Sequence, residues 1–240
     1  MNPCIDAILM HVADPAQIAA ISHYSQDPRA TSIAIPQAMR FKATSGTAEE
    51  VVALAPDIVL AGAHVAPSTI AALRRLNIRL VQLPVPDTIA QSTAQIAVIA
   101  AAAAHPGRGA ALVARIDAAV AATRFTAAIP ALIWQGGGLV PGSGTLADEL
   151  LRTTGFRNLS AGYGLKQWDV LPLEYLVARP PRVLLSVGDK GAADRMLDHP
   201  VLRPLAAHIA IRAFPERLLH CGGPTIIDAV NRLAAVRRAL

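Results

Sequence analysis

The chain contains two similar stretches, EEVVALAPDIVLAGA at residues 49–63 and EYLVARPPRVLLSVG at residues 174–188. Each predicts a short helix that begins with an acidic residue, a break near a proline (Pro56 or Pro181), and a buried apolar β-strand. A unit that occurs once in each half of the chain predicts two similar lobes, because a solenoid needs many short repeats. A cleft between two α/β lobes is a typical place for a bound ligand.

The composition allows a large core and argues against several kinds of partner. Of the 240 residues, 53% are hydrophobic and only 16% are charged, which excludes global disorder. The net charge of +5 comes from scattered arginines, and aromatic residues make up only 4% of the chain, so we expect no nucleic-acid partner. The apolar stretch at residues 89–104 contains polar side chains and is too short to cross a bilayer.

Cysteine usage and the N-terminus leave the compartment open. Cys4 and Cys221 lie far apart and neither belongs to a CxxC motif, so the sequence supports neither a zinc site nor a thioredoxin-like motif. The sequence is compatible with one disulfide bond between Cys4 and Cys221 but does not imply it. No secretory leader precedes Asn2, so we expect either a cytoplasmic protein or a trimmed mature form with an added Met1.

Helices and strands alternate along the chain, which favours parallel sheets flanked by helices. Thr47 and Glu50 fit a capping box at the start of one helix. The predicted domains are an N-terminal lobe at residues 1–86, linker helices at 87–124 and a C-terminal lobe at 125–240, with a stiff connecting helix at 107–123. The other helices are predicted at residues 4–13, 69–77, 87–104, 145–154 and 224–240, and strands at 16–21, 58–60, 80–85, 131–134, 183–186 and 209–214.

Four segments together resemble a known family: residues 47–62 (TAEEVVALAPDIVLAG), the helix at 107–123, residues 173–186 (LEYLVARPPRVLLS) and residues 224–233 (PTIIDAVNRL). The chain is similar to the periplasmic substrate-binding proteins of ABC importers for cobalamin, haem and iron siderophores. The resemblance implies two similar α/β lobes, each a mostly parallel sheet flanked by helices, joined by a single long helix. It also implies a periplasmic monomer, without enzymatic activity or cofactor, that delivers a corrinoid, haem or ferric siderophore to a dimeric membrane permease.

One feature departs from that family. Its members have a short β-strand before the first ligand-side loop, whereas only Met1 precedes Asn2 here. We expect either that this strand and a leader lie upstream, or that the sheet of the N-terminal lobe lacks one strand.

The resemblance places ligand contacts in loops at the carboxyl ends of the strands, which agrees with the general rule for open α/β sheets. Aromatic faces with a few hydrogen bonds suit a large flat ligand, and His64 or His220 can serve as an axial ligand to iron or cobalt. Trp134 directly ends a strand, so core packing explains it equally well, and a loop histidine is often only solvated. The candidate ligand-binding residues are Asn2, Cys4, His23, Tyr24, His64, Trp134, Gln135, Tyr163, Lys166, Trp168, Asp189 and His220.

Glu49 and Glu174 occupy matching places at two predicted helix starts. Members of the family dock on their permease through one acidic residue on each lobe, so the resemblance implies this role for the pair. Alternatively, acidic residues near helix N-termini complement the helix macrodipole, typically by ~0.3–1 kcal/mol each. Because Glu50 already suits the capping role, Glu49 is predicted to face outward and to dock.

Two other functions compete with import. Residues 142–147 (GSGTLA) match the GxGxxA form of the dinucleotide fingerprint and suggest a doubly wound nucleotide-dependent enzyme. Residues 135–141 separate this motif from the preceding strand, however, and no acidic residue follows at the required place. The second alternative is a stand-alone ligand-binding module that has lost its transporter. The sequence contains no dense arginine cluster of the kind that marks a catecholate pocket, which favours a corrinoid or another bulky amphipathic ligand.

Overall fold

The computed structural model describes residues 1–188 and 208–240, and the chain divides into two compact units. The first unit consists of Met1–Pro86, Ala90–Asp117 and His220–Ile226. The second consists of Asp87–Ile89, Ala118–Leu219 and Ile227–Leu240. Each unit therefore combines segments that are distant in sequence. The lobe boundaries at residues 86 and 125 and the single joining helix stay predictions.

Short helices and strands alternate along the described chain. The helices are α1 (Pro3–Val12), α2 (Ile35–Ala38), α3 (Ala48–Ala53), α4 (Pro67–Arg75), α5 (Ile89–Ala102), α6 (Pro106–Ala122), α7 (Leu146–Thr153), α8 (Leu159–Gly162), α9 (Leu173–Ala178), α10 (Arg217–His220) and α11 (Thr225–Arg238). The strands are β1 (Ile21–Ser22), β2 (Ala43–Thr44), β3 (Ile58–Gly62), β4 (Arg79–Leu83), β5 (Ile129–Trp134), β6 (Leu139–Pro141), β7 (Phe156–Asn158), β8 (Trp168–Val170), β9 (Val183–Val187) and β10 (Ala210–Phe214). Among these helices, none combines the length and the apolarity that a membrane span requires.

The first unit holds two small parallel sheets. β1 pairs with β2, and β3 pairs with β4. Parallel neighbours need a crossover connection, and α4 provides it between β3 and β4. Val51 of α3, Val59 of β3 and Leu73 of α4 form one buried cluster, which fixes both helices against this sheet.

The second unit contains a four-stranded parallel sheet in the order β10–β9–β5–β7. Leu132 of β5, Leu184 of β9 and Leu176 of α9 belong to one buried cluster, as expected where helices cover a parallel sheet. β6 and β8 form a separate antiparallel pair, in which Pro141 lies opposite Trp168. Mostly parallel sheets flanked by helices confirm the predicted α/β class.

The sequence repeat corresponds to the same local structure in each unit. α3 and α9 are both six residues long, and Glu49 and Glu174 are their second residues. The fourth residue of each helix, Val51 or Leu176, is buried and anchors the helix on its own unit. Each helix then leads through a short turn into a parallel strand, β3 or β9. The predicted order of helix, proline-containing turn and strand is thus confirmed in both copies.

The strand predicted at residues 16–21 is wrong. Pro15–Gln17 forms a 3₁₀ turn, and β1 begins only at Ile21. The Gln17 side chain accepts a hydrogen bond from the Asp14 amide at 2.8 Å, and this closes the turn. Proline at the first position of the turn loses no hydrogen bond, because that amide has no partner inside a helix start.

The capping box predicted at α3 is half formed. The Thr47 hydroxyl oxygen accepts a hydrogen bond from the Glu50 amide at 3.3 Å. The Glu50 carboxylate does not reach back to Thr47. It accepts instead from the Thr44 hydroxyl at 2.8 Å and from the Ser45 amide at 2.6 Å. The Thr44 and Ser45 hydrogen bonds hold the pKa of Glu50 below its ordinary value.

Candidate functional site

The first unit has a pocket of about 350 Å³ at the carboxyl ends of β1, β2 and β3. Four predicted ligand residues that are distant in sequence line it together: Asn2, His23, Tyr24 and His64. The described lining residues include no acidic side chain, no lysine and no arginine. Imidazole, phenol, amide and hydroxyl groups are therefore the polar side chains that this pocket offers to a ligand.

Asn2 positions the start of α1 at the edge of the pocket. Its side-chain oxygen accepts hydrogen bonds from the amides of Cys4 at 2.9 Å and Ile5 at 3.3 Å, so Asn2 caps the helix. The side chain also packs on Gly62 at the end of β3. A β-carbon at Gly62 would lie 2.7 Å from Asn2 Nδ2, so a side chain at this position would displace the Asn2 side chain.

His23 is held in a defined orientation. Its Nδ1 atom lies 3.2 Å from the Thr44 carbonyl oxygen. A carbonyl can only accept a hydrogen bond, so Nδ1 carries a proton here, and in the neutral ring the lone pair is then on Nε2. The ring centroid of Tyr24 lies 4.0 Å from that of His23, and both side chains are exposed. Nε2 of His23 is thus a nitrogen that could bind a metal, and it lies beside an aromatic face.

A buried carboxylate holds both ends of the His23–Tyr24 turn. Oδ2 of Asp6 accepts hydrogen bonds from the Ser22 amide at 2.8 Å and from the Ser25 hydroxyl at 2.6 Å. Burial raises the pKa of Asp6, and the nearby terminal ammonium group and these hydrogen bonds oppose the increase. An acidic residue among the apolar residues of a predicted helix was the available sequence signal for this role.

His64 supplies a second imidazole to the same pocket. It follows β3 by two residues, and its side chain is exposed. It makes no hydrogen bond to a described residue. The pocket therefore contains two accessible histidines, His23 and His64, on loops after neighbouring strand pairs.

Trp134 of the second unit is fully buried. It is the last residue of β5 and packs with Val140 and Leu171 in a buried core cluster. Gly138 covers its ring, since a β-carbon there would lie 3.4 Å from the Trp134 Cη2 atom. The structure thus places Trp134 in the core, which is one of the two roles that the sequence left open.

Gln135, Lys166 and Trp168 lie around the β6–β8 pair that follows the carboxyl end of β5. The Gln135 amide donates to the Leu139 carbonyl oxygen at 2.9 Å, which brings the chain back into β6. Lys166 is exposed, and its backbone forms an isolated β-bridge with Ser143. Trp168 lies on β8 and is 38% exposed. Exposed polar and aromatic side chains in this region can take part in binding, and their role as ligand contacts stays a prediction.

Tyr163 has a role in the fold of the second unit. Its hydroxyl group lies 3.1 Å from the Tyr175 carbonyl oxygen and 2.7 Å from the Arg179 carbonyl oxygen. The Tyr163 and Tyr175 ring centroids are 5.1 Å apart. Burial raises the pKa of Tyr163, although the Arg179 charge opposes the increase. These contacts tie α8 to the end of α9 and engage the hydroxyl group of a predicted ligand-binding residue, whose role as a ligand contact stays a prediction.

Cys4 and Cys221 form a disulfide bond within the first unit. His220, a predicted contact residue, ends α10 directly before Cys221 and belongs to the same unit. The bond therefore fixes the segment around His220 to the start of α1. Asp189 lies outside the described residues.

The two predicted docking residues are both accessible. Glu49 and Glu174 have exposed side chains, and neither forms an ion pair with a described residue. Their positions within α3 and α9 are equivalent.

The structural context of residues 142–147 differs from a dinucleotide fingerprint. The strand before Gly142 is β6, which pairs antiparallel with β8 and is not part of the parallel sheet. A β-carbon at Gly142 would lie 2.4 Å from the Leu165 carbonyl oxygen, so this glycine is needed for packing. Thr145 caps α7 by accepting from the Asp148 amide at 3.1 Å. The segment lacks the direct turn from a parallel strand into a helix that binds a pyrophosphate.

The fold is shared with solved periplasmic proteins. RhuT, a periplasmic haem-binding protein from Roseiflexus sp. RS-1, superposes with a TM-score of 0.78 at 23% identity, covering 98% of this chain and 94% of RhuT. HutB, a periplasmic haem-binding protein of Vibrio cholerae, gives a TM-score of 0.79 at 17% identity, covering 98% and 96%. BtuF, the periplasmic vitamin B12-binding protein of Vibrio cholerae, gives a TM-score of 0.72 at 17% identity, covering 97% of this chain and 92% of BtuF. At such low identity these similarities concern the fold alone.

Comparison of sequences assigns the family. No curated protein matches the chain. The family described as periplasmic binding protein matches residues 1–212, which is most of the 240-residue chain. This match confirms the resemblance found in the sequence. The chain belongs to the periplasmic binding protein family.

Proposed function

We propose that this chain is the substrate-binding component of an ABC importer, which captures haem or a cobalamin-type corrinoid and delivers it to a membrane permease. Membership of the periplasmic binding protein family supports a role in binding and not in catalysis. Haem-binding and vitamin B12-binding proteins with the same fold support a bulky, metal-containing ligand.

The choice of ligand rests on the two exposed histidines of one pocket, His23 and His64. The lone pair on His23 Nε2 and the accessible imidazole of His64 can each bind the iron of haem or the cobalt of a corrinoid. Tyr24 adds an aromatic face for a flat macrocycle. A ferric siderophore, whose oxygen atoms already fill the iron coordination sphere, fits less well. The pocket presents no lysine or arginine to an anionic chelate.

The remaining site residues keep narrower roles in this proposal. Gln135, Lys166 and Trp168 are proposed ligand contacts of the second unit. His220 is a proposed contact that the neighbouring disulfide bond holds in place. Cys4 and Asn2 act by fixing the start of α1 at the pocket edge.

The proposed compartment is the periplasm. Disulfide bonds persist in oxidising compartments such as the bacterial periplasm, and the Cys4–Cys221 bond agrees with such a location. Docking on the permease is assigned to Glu49 and Glu174, because both carboxylates are exposed at equivalent helix positions.

Absorbance titration with three probes tests the ligand class. Hemin, aquocobalamin and ferrichrome all absorb visible light, and an imidazole that replaces an axial water changes the spectrum of the first two. We expect a saturable change with hemin or aquocobalamin and none with ferrichrome. If none of the three spectra changed, the proposed ligand class would be wrong, and a stand-alone module for another ligand would be favoured.

A further inference from the structure

α3 and α9 share a second feature besides their acidic residue. Val52 and Val177 are the fifth residues of the two helices, and they are 40% and 39% exposed. Each follows its acid, Glu49 or Glu174, by three residues, and residues three apart lie on one face of a helix. Both helices therefore present a carboxylate and a valine side by side to solvent.

The fold does not require this pairing. The residue before each valine, Val51 or Leu176, already fills the buried position. A solvent-facing position of an amphipathic helix is normally polar. One exposed valine is ordinary for a protein surface. The same residue type with the same exposure at the equivalent position of both units indicates a shared role.

We infer that Val52 and Val177 are contact residues for the permease. The matching surface of the permease would contain two copies of a cationic side chain beside an apolar recess. This inference rests on the proposed function and extends the docking surface beyond Glu49 and Glu174. Neither carboxylate has an ion-pair partner among the described residues, so each is available to a guanidinium or ammonium group. Two helices that present the same glutamate and valine suit a partner built from two like subunits.

The valines contribute in two ways at such a contact. Burial of an apolar side chain adds affinity in proportion to the area removed from water. A valine beside the carboxylate also keeps water away from the ion pair, and the Coulomb attraction is stronger where the local dielectric constant is lower. An exposed acid alone would gain little from pairing with a cation.

The test uses the cognate permease in nanodiscs and the full chain. Val52→Asn with Val177→Asn removes the apolar contact, and asparagine has a helix propensity similar to that of valine. The matched control is Val85→Asn with Val98→Asn, because these valines of the first unit are 58% and 44% exposed. We expect about tenfold weaker permease binding for the first double variant, with unchanged binding for the control. Thermal midpoints and hemin titrations should match the parent chain for both.

Glu49→Ala with Glu174→Ala, measured in the same assay, separates this inference from the proposed function. If the glutamate variant lost binding while Val52→Asn with Val177→Asn bound like the parent chain, the valine contact would be wrong and docking through the acids would stand. If both variants bound like the parent chain, the docking surface itself would be wrong. Equal losses in the Val85→Asn, Val98→Asn control would show a non-specific effect and would also overturn the inference.

Discussion

Cys4 and Cys221 are joined by a disulfide bond across 217 residues of sequence, with their Cα atoms 5.1 Å apart. The bond connects the first turn of α1 to the segment before α11. It thereby holds residues from both ends of the chain in one unit, next to the pocket that Asn2 lines.

Removal of this bond should destabilise the protein. We expect Cys4→Ser with Cys221→Ser to lower the free energy of unfolding by about 2–5 kcal/mol, because the bond closes a long loop in the unfolded chain. Denaturant unfolding measures the difference. The parent chain in a dithiol reductant is the matched control and should unfold like the variant. Identical curves for the oxidised parent chain and the variant would contradict a stabilising role of this bond.

The hydrogen bonds of Glu50 predict a contribution to stability that depends on pH. The Thr44 and Ser45 hydrogen bonds lower the pKa of Glu50 in the folded protein below its ordinary value of 4.5. The stabilisation is therefore complete above pH 4.5 and is lost as the pH falls through the lower folded pKa. Glu50→Gln should be less stable than the parent chain at neutral pH, and the difference should shrink on acidification. A difference that stayed constant down to acidic pH would contradict this assignment.

The two tryptophans should behave differently when they are replaced. Trp134→Ala should lower the free energy of unfolding by about 3–5 kcal/mol, because it leaves a cavity in the core of the second unit. Trp168→Ala should leave stability nearly unchanged and weaken ligand binding. Denaturant unfolding and hemin titration of both variants separate these effects. A loss of ligand affinity with full stability for Trp134→Ala would show that this residue reaches the ligand.

The exposed acids should matter for transport and not for ligand capture. We expect Glu49→Ala with Glu174→Ala to keep the ligand affinity of the parent chain and to abolish uptake into vesicles that contain the cognate importer. Asp57→Ala with Glu216→Ala is the control, because it removes one exposed acid from each unit. The control should transport normally. Continued transport by the Glu49, Glu174 variant would exclude these residues as the docking pair.

Much of the fold follows from local sequence patterns. The apolar runs predict β3, β5 and β9, and the periodicity at residues 107–123 predicts α6 to within one residue at each end. These signals are local, because apolar periodicity and turn residues act over a few positions. The Cys4–Cys221 pairing could not be derived in the same way, since it depends on the distance between two segments in the folded chain.

The candidate site was predictable only in part. The family resemblance, together with the rule that ligands meet the carboxyl ends of parallel strands, leads to His23, Tyr24 and His64. The orientation of His23 depends on the Thr44 carbonyl, which the pairing of β1 with β2 brings into reach. Sequence patterns do not reveal this contact between strands. Burial of Trp134 was equally hidden, because a strand end can lie either inside the core or at its surface.

The spectrum of bound hemin tests the central claim most directly. Titration of the parent chain with hemin should give a saturable spectral change, and the final spectrum should be that of imidazole-ligated iron. His23→Ala with His64→Ala should weaken hemin binding about tenfold or more and should abolish that spectrum, because it removes both imidazoles. The thermal midpoint should stay unchanged, because both side chains are exposed. If the double variant bound hemin with the affinity and the spectrum of the parent chain, the pocket at the ends of β1, β2 and β3 would not be the site of metal ligation.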